Sequence, residues 1–168
     1  TPELNAVVVE GGTTVMLEPD IALSGCGCSD FTCKGAAVLA ESGAKVDIRD
    51  GKIITHGSTR AATIAITGAT LKVFDSELAS YGGPLPEGYV PVIGPGMMEP
   101  PAPLGLGGNC RTHLSMDNSE SYFYRCKIYG EAWATLSTDS SGGYCYLEAN
   151  DSSIDMGGNG YCIYADNG

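Results

Sequence analysis

A chain of 168 residues that is 43% apolar is long enough for one domain with a sizeable core and too apolar for a disordered tail. Nine basic against twenty acidic residues leave a net charge of −11, which repels a phosphate backbone and an anionic lipid surface alike, so nucleic acid is excluded as a partner. No run of about eighteen apolar residues occurs, so no membrane insertion is expected, and a charged fraction of only 17% with 24 Gly favours short strands and turns over helices.

In chain order, residues 1–35 are the least regular and read as an irregular N-terminal cap or a first turn. Within them Val7-Val8-Val9 and Val15-Met16-Leu17 read as strands, and 24–34 is a Gly- and Cys-rich loop. Residues 36–41 read as a strand of the next unit. Residues 43–57, GAKVDIRDGKIITHG, and 68–82, GATLKVFDSELASYG, then match position by position at an offset of 25: Val46 on Leu71, Ile48 on Val73, Asp50 on Asp75, Ile53 on Leu78, Gly57 on Gly82. Two weaker copies follow in 119–130 and 145–157. There Phe123 takes the Val73 position, Ile128 and Ile154 take the Leu78 position, and Leu147, Ala149 and Asp151 continue the pattern. The 50 residues from Leu78 to Ile128 read as two periods, one of them occupied by an insertion. In each copy alternate apolar residues send every second side chain to one face, a polar turn follows, and a second short strand and a glycine close the unit.

Such a unit cannot bury its own apolar face, but stacked copies can, each strand pairing with its equivalent one turn later. The expected fold is all-β: a right-handed parallel β-helix, or solenoid, with turns of about 25 residues, five or six in number. An antiparallel sandwich needs no register between copies and is set aside. Residues 83–108 hold seven of the nine prolines and read as a Pro-rich insertion loop lying over the solenoid, since proline cannot donate to a ladder. Residues 161–165 read as a strand within a turn with no cap after it. The reading is therefore a single β-helix domain over 1–168, incomplete at its C-terminal end and continued after Gly168 by further covalent chain or a second polypeptide.

Seven cysteines are many for this length. Cys26, Cys28, Cys33, Cys110, Cys126, Cys145 and Cys162 are all disulfide candidates, which suits an oxidising compartment, and their odd number leaves one thiol over. Connectivity stays open, with a Cys126–Cys145 bridge as one workable pairing. Cys26, Cys28 and Cys33 with Cys110 and His113 would suit zinc in ligand type but lack a CxxC knuckle, so disulfides are preferred and no metal is assigned.

The rungs GAKVDIRDGKIITHG and GATLKVFDSELASYG resemble those of right-handed β-helix proteins of the pectin-lyase-like superfamily. More narrowly, they resemble uncharacterised secreted β-helix proteins of gut-type Gram-positive bacteria. The resemblance covers about residues 36–168 and implies the fold more strongly than the activity, because that superfamily holds lyases, hydrolases, epimerases and non-enzymatic adhesins. Its acidic-polysaccharide lyases combine bound calcium with an Arg or Lys base, so calcium is the one cofactor kept in view; otherwise none is expected. His56-Gly57 is similar to a glycine-histidine-glycine segment of polygalacturonases, but the paired aspartates and the arginine-lysine motif of that family are unmatched, and no catalytic role carries over.

Asp47, Asp50 and Asp75, with Arg49 and His56 nearby, are the residues an enzyme would draw on. Asp50 and Asp75 occupy a repeated turn position, which explains them without catalysis. In SESYFYRCKIYG, Tyr122 and Tyr124 flank the inward Phe123 and so face outward. With Tyr129 and Trp133 they are the glycan-binding candidates, since sugar rings stack on exposed aromatics. The reading is a secreted or surface-displayed, non-enzymatic β-helix with an adhesive, structural or glycan-contacting role. A polysaccharide-active enzyme with part of its site outside this chain, and a structural subunit pairing end to end, are the alternatives.

Overall fold

A computed structural model describes residues 4–27, 30–85, 87–88, 110–131, 133–139 and 143–166. Its sixteen strands run in parallel sets of three. The first turn of the chain is β1 (Val7–Glu10), β2 (Thr13–Leu17) and β3 (Asp20–Ser24); the second is β4 (Val38–Glu41), β5 (Lys45–Arg49) and β6 (Lys52–His56). The third is β7 (Thr63–Ala65), β8 (Thr70–Phe74) and β9 (Glu77–Tyr81), and the fourth is β10 (Cys110–Met116), β11 (Glu120–Tyr124) and β12 (Lys127–Gly130). Then come β13 (Trp133–Asp139), β14 (Tyr146–Asn150), β15 (Ser153–Met156) and the single strand β16 (Gly160–Tyr164). Equivalent strands stack into three sheets, which we call A (β1-β4-β7-β10-β13-β16), B (β2-β5-β8-β11-β14) and C (β3-β6-β9-β12-β15). This is a parallel β-solenoid.

The register follows from the apolar alternation. Val46 pairs with Leu71, Ile48 with Val73 and Ile53 with Leu78, at the offset of 25. Phe123 pairs with Val73 on one side and Ala149 on the other, and Ile128 lies between Leu78 and Ile154. Val46, Ile48, Ile53, Leu71, Val73, Leu78 and Phe123 are fully buried in one continuous core. Each such side chain contributes roughly 1.5–3 kcal/mol by leaving water. Thr70 pairs directly with Glu120, so the 50-residue step from β8 to β11 is a single rung of the stack. Most of the Pro-rich stretch lies outside the described residues.

Two corners of the solenoid repeat a backbone conformation. Between sheets A and B two successive residues are left-handed in the first four turns: Gly11-Gly12, Ser42-Gly43, Thr67-Gly68 and Asp117-Asn118. Between B and C one residue is left-handed in every turn: Glu18, Asp50, Asp75, Arg125 and Asp151. The largest differences in length fall at the third corner, from C back to A.

The residue after that left-handed position builds a ladder along the solenoid. The Gly51 amide donates to Ser76 Oγ (2.9 Å), and Ser76 Oγ donates to the Phe74 carbonyl (2.6 Å). One turn on, the Ser76 amide bonds the Cys126 thiol, which reaches the carbonyls of Tyr124 (3.4 Å) and Val73 (3.5 Å). The Cys126 amide in turn donates to Ser152 Oγ at 3.0 Å. Cys126 is thus a thiol in a serine position, and burial pushes its pKa up. Cys126→Ser is expected to leave the urea midpoint nearly unchanged. Cys126→Ala orphans a buried amide and should cost about 1–2 kcal/mol. On the intact protein at pH 8, iodoacetamide should label the exposed Cys162 well before Cys126, read by peptide mass spectrometry.

The disulfide expectation is corrected for four of the seven cysteines. Cys26, Cys126, Cys145 and Cys162 are unbridged thiols. Cys126 sits at the B–C corner, whereas Cys145 precedes β14, where the Tyr146 amide bonds Ser119 O. The length of a five-residue strand, roughly 17 Å, separates those two levels, far beyond disulfide reach. Cys33 is buried against the outer side of sheet A with Leu39, Ile64 and Leu114. Cys28 and the Cys110 side chain lie outside the described residues.

Candidate functional site

The outer side of sheet B is the broadest regular face, three side chains wide and five strands long. Register sorts it into columns: Leu17, Arg49, Phe74, Tyr124 and Asn150; Val15, Asp47, Lys72, Tyr122 and Glu148; Thr13, Lys45, Thr70, Glu120 and Tyr146. The face is apolar at β2, basic at β5 and β8, and aromatic and acidic at β11 and β14.

Its rings pack against one another. Phe74 and Tyr124 stack at 5.2 Å with planes 15° apart, and Tyr122 and Tyr124 at 6.4 Å and 7°. Tyr122 also meets Tyr146 at 5.5 Å. Arg49 covers the free face of Phe74 (4.5 Å) and Lys72 lies over Tyr122 (5.5 Å). The phenols are engaged too: Tyr122 donates to Glu120 (3.0 Å), Tyr124 to Glu148 (3.2 Å) and Tyr146 to Glu148 (2.8 Å). Asn150 adds a further donor to Glu148.

The electrostatics follow. Partial burial and the Glu120 hydrogen bond push Tyr122 up to about 12. Burial, then Glu148, raises Tyr124, and the Glu148 bond raises Tyr146. The Tyr146 hydrogen bond holds Glu148 below its ordinary value, reinforced by Asn150 and Tyr124 against a desolvation that opposes them. Glu148 is therefore a carboxylate at neutral pH and an acceptor, not a proton donor. The face offers phenol edges, carboxylate oxygens and an amide to a polar ligand.

The residues singled out from the sequence divide. Tyr122 and Tyr124 are together on sheet B, half-buried. Tyr129 lies on the outer side of sheet C beside Tyr81 (5.2 Å), which stacks on His56 (4.7 Å). Trp133 is on sheet A, only 3% exposed, packed with Tyr161, Tyr164 and Arg111. It is apart from the other three and offers no open ring face. Asp47 pairs with Arg49 at 3.0 Å and Asp75 with Arg125 at 2.6 Å. The first pair is on the sheet B face, Asp50 and Asp75 are at the corner, and His56 ends β6, so these groups do not converge.

His113 points into the solenoid, with Thr63 Oγ1 at 2.9 Å from Nδ1 and Ser115 Oγ at 2.9 Å from Nε2. Cys33 is on the opposite side of the same sheet, which separates the residues weighed for zinc. Among the described residues no group of three or more His, Cys, Asp or Glu is placed to hold a metal ion. Sequence reasoning passed over Phe74, Glu120 and Glu148. Carrying the copies' register outward as well as inward would have set Phe74 on Tyr124 and Tyr122 on Glu148.

No family model matches the chain, and no curated protein or solved structure does either. The solenoid stands on its register alone. Among the described residues no helix is long and apolar enough to cross a membrane.

Proposed function

We propose that this chain is an exported, non-enzymatic β-helix of the right-handed, pectin-lyase-like kind, serving as a scaffold that contacts a glycan with the sheet B face. The observation behind this reading is the company the carboxylates of that face keep. Glu120, Glu148 and Asp47 are each held by a phenol, an amide or a guanidinium two residues or one turn away, an arrangement that suits holding a hydroxylated ligand better than transferring protons to it. The ring faces are taken up by their neighbours, so contact runs through ring edges and hydroxyls, with Tyr146, 39% exposed, the most open of the four.

The test is incubation with acidic and neutral polysaccharides, with and without calcium, reading retention and product release together. Retention without product is expected, weakened roughly three- to tenfold by Tyr146→Ala. Released oligosaccharides would replace the scaffold reading with the enzyme one.

A structural subunit is the second reading. Strands β14, β15 and β16 each pair on one side only, and Ile163 is 54% exposed. A strand set from a second polypeptide could pair there. Concentration-dependent association in sedimentation velocity would favour it over glycan contact.

A further inference from the structure

We propose that His113 is an acid switch: protonation of this one buried imidazole opens the seam between the third and fourth turns before the rest of the solenoid loosens. His113 is fully buried in β10. Both ring nitrogens face hydroxyls, and the Ser115 hydroxyl passes the chain on to Ser121 at 2.8 Å. Hydroxyls rotate, so a neutral ring with one donor and one acceptor nitrogen is satisfied in either tautomer. The imidazolium could also donate to both oxygens. What it lacks is a counter-charge.

Among the described residues no element packed around the ring supplies one. From β7 it meets Thr63, from β11 the edge of Phe123 (4.9 Å, 70°), with Ser121 reached through Ser115, and from β13 Leu136. The inward residues of β9 and β12, Leu78, Ser80 and Ile128, are neutral, and Ser80 is taken by Thr55 (2.7 Å). The nearest titratable group of the corner, Cys126, is turned to the Val73 and Tyr124 carbonyls. Arg111, on His113's own strand, lies over Phe31 and Trp133 and pairs with Asp139 at 2.8 Å.

Burial accordingly pushes His113 down to about 3, with a hydrogen bond to the Thr63 backbone opposing. An unfolded histidine titrates near ~6.5. Between those values the open state binds the extra proton. Stability is intact above the unfolded value and is lost as pH falls toward the folded one, by about tenfold in the opening equilibrium per pH unit.

The seam is the least paired. β7 has three partners in β10, as it has in β4, but sheet C adds only four across this seam against five between the second and third turns, and β10 pairs with β13 at six. Solenoid turns are held chiefly by their neighbours, so a seam can part locally.

Proton NMR of the His113 C2–H signal, assigned by its contact with the Phe123 ring, should show it silent from pH 7.5 to 4 while the fold persists. Hydrogen exchange, corrected for intrinsic rate, should rise in residues 110–124 between pH 6.5 and 4.5 by up to about a hundredfold and much less in 45–56. His113→Gln, which keeps a neutral hydrogen-bonding side chain, should remove that excess. A His113 signal titrating between pH 7.5 and 4 in the folded protein, or exchange rising evenly in both segments, overturns the proposal. The NMR measurement decides on unmodified protein if the variant does not fold.

Discussion

Gly57→Ala is expected to lower the thermal midpoint by roughly 6–12 °C, corresponding to a loss of about 3 kcal/mol or more. Gly57 leaves β6 at the corner between sheets C and A with φ of +130°, a conformation that L side chains rarely adopt. A Cβ there would stand 2.1 Å from the Gly25 carbonyl oxygen and 2.6 Å from its carbon. Neither strand can retreat: the Gly57 amide is bonded to Tyr81 O at 2.9 Å, and Gly83 packs on the other side, where its own Cβ position is 3.1 Å from Gly57 Cα. Backbone therefore packs on backbone through three successive turns.

Gly43 is the control. It is also left-handed (φ +71°), but a Cβ there meets nothing within 4 Å, so Gly43→Ala should cost only about 1 kcal/mol. Circular dichroism melts of the two variants separate the clash from the strain. Equal midpoints would mean that the Gly25 and Gly57 backbones part easily and that the corner is not close-packed in solution.

The same corner shows why some of the fold was legible in the sequence and some was not. Sheets B and C each have one wet and one dry face. Val46, Ile48 and Ile53 therefore alternate with Asp47, Arg49 and Lys52, and the offset to Leu71, Val73 and Leu78 could be read directly. Sheet A has no such contrast. Strands β7 and β13 are buried on both sides for most of their length, and β10 turns the polar His113 and Ser115 inward and the apolar Leu114 and Met116 outward. Alternation with the opposite sense points to the wrong face as the inner one.

The aromatic face was legible only in part. Tyr122 and Tyr124 flank an inward Phe123, which puts them outside. Their stacking depends on Phe74, fifty residues earlier across a break in the period. Trp133 was misplaced because it opens β13 on sheet A, with a positive φ of 78°, and pairs with Cys110 at the same offset of 23 that holds through Met116 and Asp139. The cysteines misled for a related reason. Cys126 follows Arg125 as Ser76 follows Asp75 and Ser152 follows Asp151, a corner position whose demand is a small hydrogen-bonding side chain.

Arg60→Met should cost about 3–4 kcal/mol and make the first turn the preferred point of proteolytic attack. Arg60 is 2% exposed. Its Nε donates to Gly25 O at 2.9 Å, and Nη1 donates to Leu4 O at 2.8 Å and Gly35 O at 3.1 Å. One side chain from the second C–A connection thereby holds the residues before β1 and both ends of the first connection. The charge is met by carbonyl dipoles, and methionine would keep most of the stem's packing while stranding three acceptors. Arg60→Lys should fall between, because a single ammonium cannot fork to acceptors on two segments.

Urea midpoints measure the cost, and limited trypsin digestion with N-terminal sequencing locates it. Cleavage after Lys34, the one trypsin site ahead of Lys45, should appear in Arg60→Met at concentrations of protease that leave wild type intact. If Arg60→Met instead unfolds at the wild-type midpoint and resists digestion, water reaches those carbonyls and the pairing of β1, β2 and β3 with the second turn suffices to hold the first. The guanidinium would then only fill space.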